Sequence, residues 1–125
     1  MPHERDDVSL LWDMLDAARK VRQFIEGKTF HDYSRDEVLQ AAVERKVEII
    51  GEAARGISDE LQQEHPEVPW RGIIAQRHFL AHEYGEVRQE KLWRVVTVRI
   101  PELIELLQKL VPPCPGDGPI SEPSD

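Results

Sequence analysis

The sequence predicts an all-α fold, an antiparallel four-helix bundle with one extra short helical turn. Four segments repeat apolar residues at spacings of three and four, the period of a helix with one buried face. No segment alternates apolar and polar residues over a convincing length, as a half-buried strand would. The stretches between the four periods are short and carry caps and breakers, and short connections join antiparallel neighbours.

The first period, from Val8 to Ile25, runs through Leu10, Met14, Ala17, Val21 and Phe24. Asp6, Asp7 or Ser9 can cap its start, and Gly27 suits the left-handed residue that ends it. Ser34-Arg35-Asp36-Glu37 fits a capping box, in which the serine hydroxyl and the glutamate carboxylate each accept a bond from an orphan backbone N–H. A second helix is therefore expected to start here, with the stripe Leu39, Ala42, Val43, Ile50, Ala53 and Ala54, and to stop at Gly56. A short turn of helix is expected from Ser58 to Glu64, before the breakers Pro66 and Pro69.

Trp70 opens the third helix, whose stripe of Trp70, Ile73, Ile74, Leu80, Ala81 and Tyr84 is expected to end at Gly85. The last period, Leu92, Val95, Val96, Leu103, Leu106, Leu107 and Leu110, predicts a helix from about Gln89 to Leu110. Pro101 interrupts it, and the missing backbone donor should kink the helix near Thr97 or restart it at Pro101.

A chain of 125 residues supports one modest core, so residues 1–111 read as a single helical domain. The stretch after Val111, PPCPGDGPISEPSD, holds five prolines, two glycines and a lone isoleucine as its only large apolar residue. Residues 112–125 are expected to be a disordered tail. The single cysteine, Cys114, excludes an intramolecular disulfide and a Cys-rich zinc site, and no apolar run approaches a signal core or a membrane span. A soluble, cytoplasmic protein is the expectation.

A net charge of −8 argues against a protein that coats nucleic acid through bulk electrostatics. The distribution is uneven. Trp70 to Arg99 carries six Arg or Lys against three Glu, a local excess of +3, which leaves −11 for the remainder. Such a segment can receive phosphates while the rest of the surface repels indiscriminate binding, or it can be an ordinary solvated helix face.

Within that segment the stretch RHFLAHEYGEV crowds Arg77, His78, His82 and Tyr84 together. Arg77 falls inside the apolar stripe of its own helix, so its charge needs compensation. An ion pair with Glu48 or Glu52 of the second helix would supply it, and so would a phosphate at a subunit interface. His82, five residues on, lies about 140° around a straight helix from Arg77, while Tyr84, at seven, returns to within about 20°. Arginine and histidine then meet only if the helix unwinds at His82 or if two chains contribute. His78 and His82, four apart, share a face and open a metal-binding reading, which lacks an evident third ligand.

Arg77, His82 and Tyr84 reproduce an R-x4-H-x-Y motif, and in this they resemble the HepT-like toxins of the HEPN (higher eukaryotes and prokaryotes nucleotide-binding) superfamily. The segments IIGEAARGIS, HPEVPWRGIIAQRHFLAHEYGEV and RIPELIELL are similar to that family as well, so the resemblance covers roughly Asp7 to Leu110. It implies a HEPN-like helical fold and a homodimer in which two motifs form one cleft. It also implies a toxin of a type VII-like toxin–antitoxin system, an endoribonuclease that cuts RNA without a metal or other cofactor. The implied partner is a minimal nucleotidyltransferase antitoxin, which silences the toxin by AMPylation of the motif tyrosine.

On that resemblance Arg77 and His82 are the catalytic pair and Tyr84 the AMP acceptor. The chemistry of the residues agrees. A histidine exchanges protons near neutrality, metal-independent RNA cleavage needs a base for the 2′-OH and an acid for the leaving oxygen, and an arginine holds phosphate. The alternative is a non-catalytic nucleotide-binding or adaptor bundle that partners a nucleotidyltransferase.

Overall fold

The computed structural model describes residues 6–112, apart from the side chain of Arg77. The tail from Pro113 onward, with Cys114, lies outside the described residues. Every described element is helical: α1 (Asp7–Ile25), α2 (Phe30–Ser34), α3 (Glu37–Gly56), α4 (Asp59–Glu64), α5 (Trp70–His82), α6 (Gly85–Arg94) and α7 (Ile100–Leu110). A π-helical segment, Val95–Arg99, joins α6 to α7 without a break. The all-α bundle predicted from the apolar periods is the fold observed.

The core forms where the stripes of α1, α3 and α7 meet. Leu11, Met14, Leu15, Ala18 and Val21 of α1, Val43 and Ala54 of α3, and Ile104 and Leu107 of α7 are essentially inaccessible to solvent. The N-terminus of α1 lies against the end of α3, because the Asp7 carboxylate accepts from the backbone N–H of Ser58 (2.9 Å) and from its hydroxyl (2.6 Å). α5 packs on α3 from the other side. Gly51 makes the close approach possible, since a Cβ there would stand 3.3 Å from the carbonyl oxygen of Ile73.

Several boundaries match the sequence reading: Asp6 caps α1 (Ser9 N–H to Oδ1, 2.8 Å), Gly27 has φ 75°, and Ser58 caps α4. The capping box does not fall where it was expected. It is formed by Thr29 and Asp32, whose side chains accept from each other's backbone N–H at 2.9 and 3.1 Å, and it opens the unpredicted α2. Ser34 ends α2, donating its hydroxyl to the carbonyl of His31, and Asp36 caps α3 instead. Asp36 competes successfully because its carboxylate reaches the N–H of Leu39, three residues on, at 3.0 Å.

The third helix also ends earlier than its stripe suggests. α5 stops at His82, Glu83 and Tyr84 take extended backbone, and Gly85 begins α6 with φ 59°. Gly85 therefore starts a helix where it was expected to stop one, and α6 begins four residues before Gln89. Ala81 is exposed, and Tyr84 is 75% exposed. Pro101 interrupts the regular last helix around Thr97 and lies where α7 restarts, as expected, but without a gap in the helical backbone. The preceding turn widens to π form, in which Ile100 N–H reaches the carbonyl of Val95, and Pro101 sits in the first turn of α7, where a missing donor costs least.

Tyr33 of α2 is fully buried, and its hydroxyl donates to Gln89 of α6. Burial pushes its pKa above the ordinary phenol value, the nearby Glu44 carboxylate adds to the rise, and Arg88 opposes it. The folded pKa is thus above the unfolded one, so the tyrosine's contribution to stability is complete below about pH 10 and is lost as pH climbs beyond it. Denaturant midpoints measured at about pH 9 and about pH 11 should fall further for the wild type than for Tyr33→Phe. At Gly85 a Cβ would meet nothing within 4 Å, so Gly85→Ala bears only the backbone cost of φ 59°. Thermal melts should show it destabilised by about 1 kcal/mol.

Candidate functional site

The crowded stretch maps onto the corner between α5 and α6. Position 77 lies on α5 beside Ile73, Ile74 and Leu80 in helical register, and the Arg77 side chain lies outside the described residues. Of the two carboxylates considered for it, Glu48 is engaged by Arg45 at 3.2 Å and Glu52 is exposed. The helix stays regular through His82, so unwinding there does not bring positions 77 and 82 together; they diverge by about 140° on one helix.

His78 and His82 do come together. Both are exposed, and their rings stand 4.2 Å apart between centroids with planes inclined at 44°. With Arg71 and Ala75 they form one exposed stripe at i, i+4, i+7 and i+11. Among the described residues no group of three or more His, Cys, Asp or Glu side chains is placed to hold a metal ion, so the pair gains no third ligand there. The imidazoles can exchange protons with a molecule in solvent.

Tyr84 is displaced from its expected position. Because α5 ends two residues earlier, it does not return to the helix face of Arg77. Its backbone is extended, with φ −134° and ψ 159°, and precedes the first turn of α6, where its carbonyl accepts from Arg88 N–H at 3.3 Å. The extended segment leaves the phenol open to solvent two residues beyond His82.

The corner is fastened by polar side chains. No residue from Ala81 to Lys91 is buried, whereas Leu80 before it and Leu92 after it are. Inside this span Lys91 reaches Glu83 at 3.4 Å and lies 5.9 Å from the centroid of the Phe79 ring. Arg88 and Gln89 point back to the bundle and donate to the two oxygens of Glu44 on α3, at 3.3 and 2.8 Å. Gln89 accepts in turn from Tyr33, which completes a chain of four side chains from three helices. The sequence reading missed Glu44, Gln89 and Tyr33, since partners 44 to 56 residues apart leave no spacing signal.

An apolar cleft of about 320 Å³ opens on the opposite side of α5 from the histidines, between it and the α6–α7 helix. Ile73, Gln76, Val95 and Leu103 line it, and Arg94 and Arg99 border it. No helix among the described residues is long and apolar enough to cross a membrane.

The Ribonuclease HepT-like family model matches residues 14–110. The chain is similar to a protein of Thermococcus cleftensis named "Probable ribonuclease HepT", at 36% identity over 107 residues, which cover 86% of this chain and 97% of that one. It is also similar to a "Putative RNase" of Caldanaerobacter subterraneus subsp. tengcongensis, at 39% identity over 68% of this chain and 80% of the relative. A "Putative RNase" of Methanocaldococcus jannaschii is 31% identical over 80% of this chain and 92% of its own length. No solved structure matches the chain. The helical fold, the motif on the α5–α6 corner and a family match that spans most of the bundle together make this chain a member of the HepT-like ribonuclease family.

Proposed function

We propose that the protein is the toxin of a type VII-like toxin–antitoxin pair, a metal-independent endoribonuclease that works as a homodimer and is silenced by AMPylation of Tyr84. The observation that carries this reading is the solvent-facing corner on which His82 and Tyr84 stand two residues apart in a HepT-like ribonuclease chain. His82 transfers protons, as base towards the 2′-OH or as acid towards the departing 5′-oxygen. Arg77 holds the scissile phosphate and stabilises the charge that grows on its oxygens.

The register of α5 supports the dimer. Positions 77 and 82 diverge on one helix, and the stripe of Arg71, Ala75, His78 and His82 is uncovered in a single copy. A second copy that packs the C-terminal half of its α5 against this one can bring the arginine of one chain near the histidine of the other, in an isologous interface. The site is then complete only in the assembly.

Control at Tyr84 rests on its exposure of 75%. The phenol oxygen of Tyr84 attacks the α-phosphorus of ATP on the partner nucleotidyltransferase, and pyrophosphate leaves. The product carries a phosphodiester charge and an adenosine group beside His82. Bulk and charge there compete with the RNA phosphate.

Light scattering of the wild type should give a dimer at micromolar concentration; a monomer with full activity would refute the composite site. His82→Ala should lose roughly two to four orders of magnitude in cleavage rate, the usual contribution of a general acid or base. Arg77→Ala should also abolish cleavage and growth arrest while the dimer persists. A melting point far below wild type for Arg77→Ala alone would make that residue chiefly structural. EDTA should leave cleavage unchanged. Tyr84→Phe keeps the ring and removes the acceptor. It should cut RNA, gain no mass when incubated with the partner nucleotidyltransferase and ATP, and escape neutralisation. Uptake of AMP by Tyr84→Phe as in the wild type would place the acceptor elsewhere. A wild type that binds the nucleotidyltransferase but never cleaves RNA would favour the adaptor reading.

A further inference from the structure

We infer that Glu44 is a positioning residue for the site: through Arg88 and Gln89 it holds the α5–α6 corner in place, and with it His82 and Tyr84. The inference deepens the functional reading above and rests on it for the roles of those two residues.

The corner lacks a buried anchor of its own. From Ala81 to Lys91 no side chain is buried, so apolar burial, which fixes α1, α3 and α7, contributes little over these eleven residues. Glu83, Arg88 and Gln89 are the half-buried members of the span. Among the described residues Glu83 pairs with Lys91 inside the same corner, a contact that stiffens the corner without tying it to the core. Arg88 and Gln89 are different, because both end on Glu44, which lies on α3 between its buried Val43 and Val47.

Each oxygen of Glu44 has its own donor, Arg88 at 3.3 Å on Oε1 and Gln89 at 2.8 Å on Oε2. Gln89 has one orientation compatible with both of its partners, with the amide nitrogen towards the carboxylate and the oxygen towards the Tyr33 hydroxyl. The carboxylate therefore sets the amide, and the amide receives the phenol. The side chains of Arg88 and Glu44 are 25% and 24% exposed, so water competes weakly for either. The backbone carries the constraint onward: Arg88 N–H bonds the carbonyl of Tyr84 at 3.3 Å, and Glu83 N–H bonds that of Phe79 at 3.0 Å. Releasing Glu44 frees the first turn of α6, and the extended segment between His82 and Gly85 loses its fixed end.

Glu44→Gln tests this in the full-length chain. A glutamine presents an N–H group to one of two donors, so one bond is lost and the charge with it. Hydrogen exchange should quicken about ten- to a hundredfold at the amides of residues 83–91, as expected for loss of a bond to a charged group, while amides of α1 and α3 keep wild-type rates. RNA cleavage should fall at least about tenfold in kcat, with a smaller change in KM, which a loss of overall stability would not produce at temperatures well below the melt. The double variant Glu44→Gln with Gln89→Glu restores complementary partners, since the new carboxylate can accept from both Tyr33 and the amide at 44. It should recover slow exchange and most of kcat. Unchanged exchange at 83–91 in Glu44→Gln would overturn the inference, and so would faster exchange with wild-type kcat. Should the wild type cleave no RNA, the functional reading fails, and the exchange measurement still decides whether Glu44 holds the corner.

Discussion

A carboxylate set between helices in a small bundle is costly unless each of its oxygens is met, and Glu44 meets that condition with donors on both. The position of the functional corner depends on this arrangement. Elsewhere apolar packing dominates, with the Asp7–Ser58 hydrogen bonds joining the start of α1 to the end of α3. The protein thus has two kinds of attachment. Non-directional burial fixes α1, α3 and α7, whereas directional hydrogen bonds fix the place where the chemistry is proposed. Directional bonds suit a site, because they specify the orientation of the elements they join as well as their proximity.

The same division explains the exposure of the corner. Residues that act on a polymer in solvent must stand clear of the core, so they cannot also anchor their own segment. α5 ends at His82, two extended residues follow, and a glycine with φ 59° turns the chain into α6. That sequence of backbone states sets His82 and Tyr84 outward while Arg88 and Gln89, one turn later, face inward.

The apolar periods made the bundle legible, because burial of one face repeats every three or four residues whatever the tertiary partners are. Met14, Val43 and Leu107 are in the core for that reason. Boundaries were less legible, since several residues compete to cap one helix. Ser34 and Asp36 both offer an oxygen at the start of α3, and only the chain direction imposed by α2 selects Asp36. Gly85 illustrates the same limit: a glycine with positive φ can end one helix or begin the next. Reading it as an end carried the stripe of α5 through to Tyr84 and assigned the tyrosine to the face of Arg77. The R-x4-H-x-Y spacing is visible in the sequence, but the network at the α5–α6 corner is not, because Glu44 and Arg88 meet only through the fold.

Charge adds a last constraint on how RNA would approach. The segment from Trp70 to Arg99 has a local excess of positive charge, yet its cations do not all face the histidines. Arg88 is held by Glu44 and Lys91 by Glu83. Arg94 and Arg99 border the cleft on the far side of α5. Among the described arginine side chains of this segment, Arg71 alone lies on the stripe of His78 and His82, about 16 Å along the axis from His82 at 1.5 Å per residue. One copy therefore offers few cations beside its own histidines, on a chain whose net charge of −8 repels a polyanion. A second copy set against the stripe would double the arginines near each histidine without changing either chain. The electrostatics thus favour the composite site for the same reason as the helix register: what a single α5 separates, a pair of them can reunite.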